Sequence, residues 1–234
     1  MTTLTDADLA ALAAYDTPTI CNALEVVVPA RRGHGFTVDT FQVAHPDLAP
    51  MVGYARTVTI RAAEPSPLKG QAARDRRLAY YAYVESGGPR PSIVVIQDLD
   101  YVPGTGAFWG EVNTAVHKGL GCLGCITNGS FRDLPQMAPG FQLLGGKICP
   151  SHAFVHVVDF GGRVNVHGMA VGDGDLIHAD RHGAVVIPAE AARDLPAAAE
   201  KIARQEAEVL KEARAAGFSV AALRAAYARA DDIH

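Results

Sequence analysis

The fold is decided by residues 93–133. These run Ile93-Val-Val-Ile-Gln97, then the loop Pro103-Gly-Thr-Gly-Ala-Phe-Trp-Gly110, Glu111 to Lys118, Cys122-Leu-Gly-Cys-Ile-Thr127 and Asn128-Gly-Ser-Phe-Arg-Asp133. The first and fourth pieces are short apolar runs and read as buried strands. Glu111 to Lys118 reads as a short helix closed by Gly119. Strand, helix and strand make a crossover whose parallel strands end on one edge of the sheet. Ligands in open α/β sheets bind outside that edge. The unit therefore delivers Glu111 and, after twenty intervening residues, Arg132 and Asp133 to one place. Two carboxylates, a guanidinium and a helix N-terminus suffice to hold a divalent metal and an anionic substrate.

Outward from this unit, residues 6–14 read as a helix with acids in its first turn. A second helix starts near residue 16, with Pro18 in its first turn and Asp16 or Thr17 as cap. Residues 52–62 alternate and carry β-formers, so they predict a strand. Residues 68–86 predict a helix interrupted at Gly70. Past Met137 the pattern changes to short strands at 141–144, 153–158 and 163–166, the last two joined at Gly161-Gly162. Residues 175–178 and 184–187 pair around Asp180-Arg-His-Gly183. A long helical stretch, 189–216, is broken or re-capped at Pro196 and stopped by Gly217; a shorter helix spans 220–229. No linker, repeat or low-complexity segment divides the chain. One α/β domain over residues 1–234, with parallel and antiparallel portions, is expected.

The composition is that of an ordinary soluble globular protein: 49% hydrophobic, 20% charged, net charge −4. Arg31-Arg32 and Arg74-Asp-Arg-Arg77 are the densest basic spots, and neither forms a stripe, so nucleic acid is not an expected partner. The first residues lack the basic-then-apolar order of a signal peptide, and no apolar run has membrane length. Cys21, Cys122, Cys125 and Cys149 show no framework spacing. A reducing, cytoplasmic setting follows.

Each candidate residue has a bland reading beside the functional one. Asp133 is the first candidate metal ligand, since Mg2+ and Mn2+ favour oxygen donors; Arg132-Asp133 could equally be a structural pair capping a turn. The loop 103–110 could bind an anion through backbone N–H groups or simply turn. It matches neither the dinucleotide fingerprint nor a P-loop, so nucleotide binding is not expected. Glu206 shares a helical face with Ile202, Val209, Leu210 and Ala213. An acid there is costly unless it is paired, ligates something or reaches solvent at the stripe's edge. His152 and His156 alternate along one expected strand, while His178 and His182 flank Asp180. Four histidines could suggest zinc, but histidines satisfied by backbone are the simpler reading. His152, just after Pro150-Ser151, is also placed to touch substrate. Cys122 and Cys125 lie in a strand and read as small core residues.

Phe108-Trp-Gly-Glu111 followed by Arg132-Asp133, together with Gly119 to Leu134, resembles the RraA-like family. Asp16 to Leu24, Gly53-Tyr-Ala-Arg-Thr57 and Val171 to Pro188 carry the resemblance over most of the chain. That family holds class II pyruvate aldolases, acting on 4-hydroxy-4-methyl-2-oxoglutarate and 4-carboxy-4-hydroxy-2-oxoadipate, and protein regulators of ribonuclease E. The resemblance implies a swivelling α/β/β/α sandwich, assembled as homotrimers or hexamers with the site between subunits. It implies Asp133 as direct Mg2+ or Mn2+ ligand and Arg132 as the group on the pyruvyl carbonyl and its enolate. Glu111 would order metal-bound water, and Glu206 would come from a neighbouring subunit. The loop ending at Gly110 would hold the substrate carboxylate. The expected activity is a metal-dependent lyase releasing pyruvate, with possible oxaloacetate decarboxylation. The alternatives are a non-catalytic protein-binding ribonuclease regulator, or a related enzyme on another oxo or hydroxy acid. Glu111 stands where the aldolases often carry Asp, and residues 151–160 differ from theirs.

Overall fold

The computed structural model of the protein describes residues 4–233. Met1–Thr3 and His234 lie outside the described residues, and the leader-peptide reading falls partly there. Among the described residues, six α-helices surround a mixed sheet. α1 (Asp6–Ala13) opens at Thr5 in a capping box with Asp8. α2 (Thr17–Val27) is capped by Asp16, whose Oδ1 accepts the Thr19 N–H at 2.9 Å. Such a cap contributes about 1 kcal/mol.

Next come β1 (Gln42–Val43), β2 (Met51–Arg61), α3 (Gly70–Ser86) and β3 (Ser92–Asp98). Gly70 starts α3 rather than interrupting it. β4 (Ala107–Trp109), α4 (Glu111–Gly119), β5 (Cys122–Thr127), β6 (Ser130–Phe131), β7 (Gln142–Gly145) and β8 (Lys147–Ile148) follow. The rest is β9 (His156–Phe160), β10 (Val164–Val166), β11 (Met169–Val171), β12 (Leu176–Asp180), β13 (Gly183–Ile187), α5 (Leu195–Ala213) and α6 (Val220–Asp231).

The main sheet runs β1-β7-β5-β3-β2-β12-β13, with β2, β3, β5 and β7 parallel and β1, β12 and β13 antiparallel. The expected α/β class, with both kinds of pairing, is therefore met. β3 shows why its sequence is apolar throughout. Val94 and Ile96 pack under α3 with Tyr80 and Val84, while Ile93 and Val95 pack on the opposite face against Val164, Val166 and Met169 of the β10–β11 hairpin. A strand covered on both faces needs no polar alternation. α1, α2 and α5 cover the β12–β13 end through Leu12, Ile20, Leu24 and Leu195.

The hairpin expected between 153–158 and 163–166 does not form. β9 starts later, at His156, and pairs with the C-terminal half of β2; β10 pairs with β11 instead. β12 occupies only the N-terminal half of that edge of β2, at 51–54. The free half offers unpaired backbone groups, and β9 satisfies them. The long helix starts at Leu195, with Pro196 in its first turn, so residues 189–194 are not helical.

A second, three-stranded parallel sheet, β4-β6-β8, has no counterpart in the sequence reading. Each strand lies just beyond a main-sheet strand in the chain: β4 after β3, β6 after β5, β8 after β7. The chain crosses between sheets at Asn128-Gly129 and Gly145-Gly146, where the Gly146 N–H donates to Gly129 O at 2.8 Å. A Cβ on Gly146 would collide with the Asn128 carbonyl, so only glycine allows these backbones to touch.

Candidate active site

The small sheet builds the site. Trp109 pairs with Phe131, and Phe131 with Ile148. The residues that follow each strand end are therefore neighbours: Gly110-Glu111, Arg132-Asp133 and Cys149-Pro150. Backbone hydrogen bonds hold them in register, with Arg132 N donating to Trp109 O at 2.9 Å and Cys149 N to Phe131 O at 3.0 Å. Trp109 and Phe131 are buried beneath with Phe141, so the floor is rigid.

Asp133 has φ 56°, a left-handed conformation uncommon outside glycine. Its Oδ2 accepts the Glu111 N–H at 3.3 Å and lies 3.5 Å from Arg132 Nε. Oδ1 has no hydrogen-bond partner among the described residues. The Arg132 and Asp133 side chains are 36% and 38% exposed, so their ion pair contributes at most about 1 kcal/mol and acts to orient rather than to stabilise. Arg132 Nη1 also donates to Pro150 O at 3.4 Å. A Cβ on Gly110 would overlap Asp133 Oδ2, so glycine is what lets the carboxylate lie against the start of α4.

α4 is fixed from below. His117 is fully buried. Its Nδ1 lies 2.6 Å from Asn113 O, which can only accept, so Nδ1 carries the proton. Nε2 then accepts from Tyr80 OH at 2.6 Å. Burial lowers the His117 pKa to about 4 and pushes the Tyr80 pKa well up, so both stay neutral. Tyr81 OH donates to Asn113 Oδ1 at 2.9 Å, and Asn113 Nδ2 donates to Phe108 O. Two tyrosines of α3 thus set the helix whose first residue is Glu111.

The sequence reading missed two acids. Asp98, the last residue of β3, and Asp100, two residues beyond it, are both buried. Asp98 Oδ2 accepts from Gly104 N at 2.7 Å, and Asp100 Oδ2 accepts from Ala62 N and Ala63 N at 2.6 and 2.7 Å. Burial raises the Asp98 pKa, against the pull of the Gly104 and Asp100 N–H groups. These bonds shape the glycine loop. The available signal was the pair Asp98-Leu-Asp100 at a strand end. The loop's Gly104 and Ala107 N–H groups are engaged, by Asp98 and by Ser151 O. Among the described residues, the Val112 and Asn113 N–H groups at the start of α4 have no acceptor and remain open to an anion.

Gly110, Glu111, Arg132 and Asp133 are thus brought together. Glu206 is not: it is exposed on α5, in a groove with Val209, Leu210 and Tyr227. His152 is exposed outside any strand, its Nδ1 donating to Ala153 O at 2.8 Å. His156 lines the same cleft as His152. His178 lies elsewhere, between Thr17 Oγ1 and Tyr15 O, while His182 bonds Asp180. Among the described residues, no three His, Cys, Asp or Glu gather as a zinc site would require. One accessible carboxylate oxygen beside a second, exposed acid suits Mg2+, which keeps most of its waters. The four cysteines are free, and Cys122 and Cys125 are buried as expected. No described helix is long and apolar enough to cross a membrane.

An α/β protein with a carboxylate–guanidinium pair facing a helix N-terminus is the class so defined. Residues 17–186 match the family model described as RraA-like, Aldolase/RraA, and the chain belongs to that family. No curated protein matches the sequence. An uncharacterised protein from Pseudomonas syringae pv. tomato superposes with TM-score 0.71 at 19% identity, over 97% of this chain and 96% of its own. A protein from work on novel cellulases of gut-associated microbes gives 0.71 at 17%, over 89% and 90%. Streptomyces coelicolor RraAS2, described as an unusual member of the RNase ES inhibitor RraA protein family, gives 0.65 at 21%, over 88% and 96%. At these identities the likeness establishes the fold alone.

Proposed function

We propose that the protein is a divalent-metal-dependent lyase that cleaves a 4-hydroxy-2-oxo acid to pyruvate and a carbonyl product, with oxaloacetate decarboxylation as a related activity. The observation that carries this reading is Asp133. It is held in a left-handed conformation with one carboxylate oxygen tied to Glu111 N–H and Arg132, and the other free. Asp133 would hold Mg2+ or Mn2+ directly, and Glu111 would do so through water. When bound, the metal supplies Lewis-acid polarisation of the oxo group.

In the cleavage, the C3–C4 bond breaks and the C4 hydroxyl loses its proton. C4 becomes a carbonyl, and the electron pair becomes the pyruvate enolate, which is then protonated at C3. Arg132 offers planar donors to the developing enolate oxygen. Glu111, exposed beside it, accepts and returns the proton through a water. The open N–H groups of α4 and Gly110 face the substrate carboxylate. Glu206 reaches this site from a neighbouring subunit of a trimer or hexamer, which is why it stands apart within one chain.

The test is pyruvate release from oxaloacetate and from 4-hydroxy-4-methyl-2-oxoglutarate with Mg2+, Mn2+ or EDTA. Wild type is expected to release pyruvate only with metal, and Asp133→Ala to lose that release while keeping its melting temperature in EDTA. Full activity in Asp133→Ala would sink the reading. A folded wild type that releases no pyruvate but binds a ribonuclease would favour the regulator.

A further inference from the structure

The cleft that adjoins the candidate site has a composition of its own. It measures about 580 Å3 and lies between the start of α3, the start of α4 and residues 152–157. Two of its walls adjoin the site along the chain. Val112 and Asn113 follow Glu111 on α4, and His152 lies two residues past Pro150, the carbonyl that holds Arg132. That volume is in the range of small-molecule pockets.

Its charge is one-sided. Lys69, Arg76 and Arg77 line it, and none of the seventeen lining residues is acidic. The whole chain carries a net −4, so this local excess of cations is not a consequence of composition. Arg76 is paired with Asp159 at 3.0 Å. Lys69 and Arg77 have no acidic partner among the described residues. His152 and His156 each donate through Nδ1 to a neighbouring carbonyl at 2.8 Å, which leaves Nε2 of both unbonded. Most of the rest of the wall is apolar, with Leu68, Val112, Phe108, Phe154 and Val157 prominent, and Ser66, Tyr81 and Asn113 are its uncharged polar members. Phe154 and Val112 are 56% and 72% exposed, apolar surface that a ligand would cover.

We propose that this cleft receives the distal arm of the substrate, and that the arm has an apolar or aromatic body ending in a carboxylate. The aromatic and aliphatic wall takes the body, and Lys69 and Arg77 meet the terminal charge. A short methyl or hydroxymethyl arm would leave the cleft empty. The proposal rests on the lyase reading for its chemistry, though binding in the cleft is testable without turnover.

Two measurements separate the two. The first compares kcat/KM for 4-hydroxy-2-oxopentanoate, 4-hydroxy-2-oxo-4-phenylbutanoate and 4-(4-carboxyphenyl)-4-hydroxy-2-oxobutanoate, with Mg2+. The carboxyphenyl substrate is expected to exceed the methyl one about tenfold or more. Lys69→Ala/Arg77→Ala is expected to lower the carboxyphenyl-to-phenyl ratio about tenfold. Both residues are exposed, so the variant folds. The second titrates metal-free protein with 4-methylbenzoate and 4-methylbenzyl alcohol, followed by NMR. The acid is expected to bind more tightly and to shift the His152 and His156 signals, and the double variant to weaken it about tenfold. Turnover indifferent to the arm, or benzoate binding untouched by the double variant, would overturn the proposal. If no oxo acid is cleaved but the benzoate binds as expected, the cleft's preference stands and the lyase reading fails.

Discussion

Gly110→Ala separates the geometry of the site from its chemical groups, since it removes none of the polar atoms. The added Cβ would overlap Asp133 Oδ2, lie 3.3 Å from Asp133 Cγ and come within 3.4 Å of Arg132 Cγ. Relief requires the carboxylate to move by roughly 1 Å, to an ordinary non-bonded separation. The backbone does not oppose alanine, because Gly110 has φ −170°, an extended value. The carboxylate cannot move freely, since it is bonded to Glu111 N–H and paired with Arg132. Misplacement by about 1 Å costs up to about a hundredfold in rate, or ~2.7 kcal/mol. Pyruvate release with saturating Mg2+ is therefore expected to fall about 10- to 100-fold, with a melting temperature close to wild type. Gly119→Ala, at the other end of α4, is the control: its Cβ meets nothing within 4 Å, and activity should not change. Undiminished kcat/KM in Gly110→Ala would refute the argument that Asp133 is held where it acts. A collapse of folding would show that the crowding is resolved through the small sheet instead.

Two further predictions follow from other parts of the molecule. If Glu206 is supplied across a subunit interface, co-expressed Asp133→Ala and Glu206→Ala chains, each inactive alone, should recover about a quarter of wild-type pyruvate release per site by random mixing in a closed ring; no recovery in a verified mixed oligomer would place Glu206 outside the reaction. His117 has its pKa lowered by burial from 6.5 to about 4, so the folded state prefers it neutral. Its contribution is complete above pH 6.5 and is lost as the pH falls toward 4, a loss of about 3 kcal/mol in all. Urea unfolding of wild type between pH 7 and 4 should show that extra loss of stability against His117→Gln, and parallel curves would contradict the assigned tautomer and burial.

The main elements were legible because their patterns are local. The double-sided apolar run of β3 and the cap at Asp16 each depend on neighbours a few residues away, and the strand–helix–strand spacing follows from chain geometry; the long helix instead ends at Ala213, ahead of the expected stop at Gly217. The early end assigned to β9 and the false hairpin at Gly161-Gly162 have one cause. A strand's partner is chosen by which edge is free, and the half-open edge of β2 is a property of where β12 stops. The α3 lock on α4 was also hidden, because Tyr80 and His117 are thirty-seven residues apart and look like ordinary core side chains until they meet.

The amino-acid sequence alone pointed to Glu111, Arg132 and Asp133 lying beyond the ends of two parallel strands, since a strand–helix–strand crossover leaves both strand ends on one side. Only the tertiary structure decided how they meet. The strands of the second sheet are two or three residues long, too short to carry a periodicity, and they exist only because three main-sheet strands set their exits side by side. That alignment puts Gly110, Arg132 and Cys149 in adjacent positions. It also opens the basic cleft beside them, whose walls come from segments as far apart as Pro65 and Val157 and so carry no shared signal in the sequence.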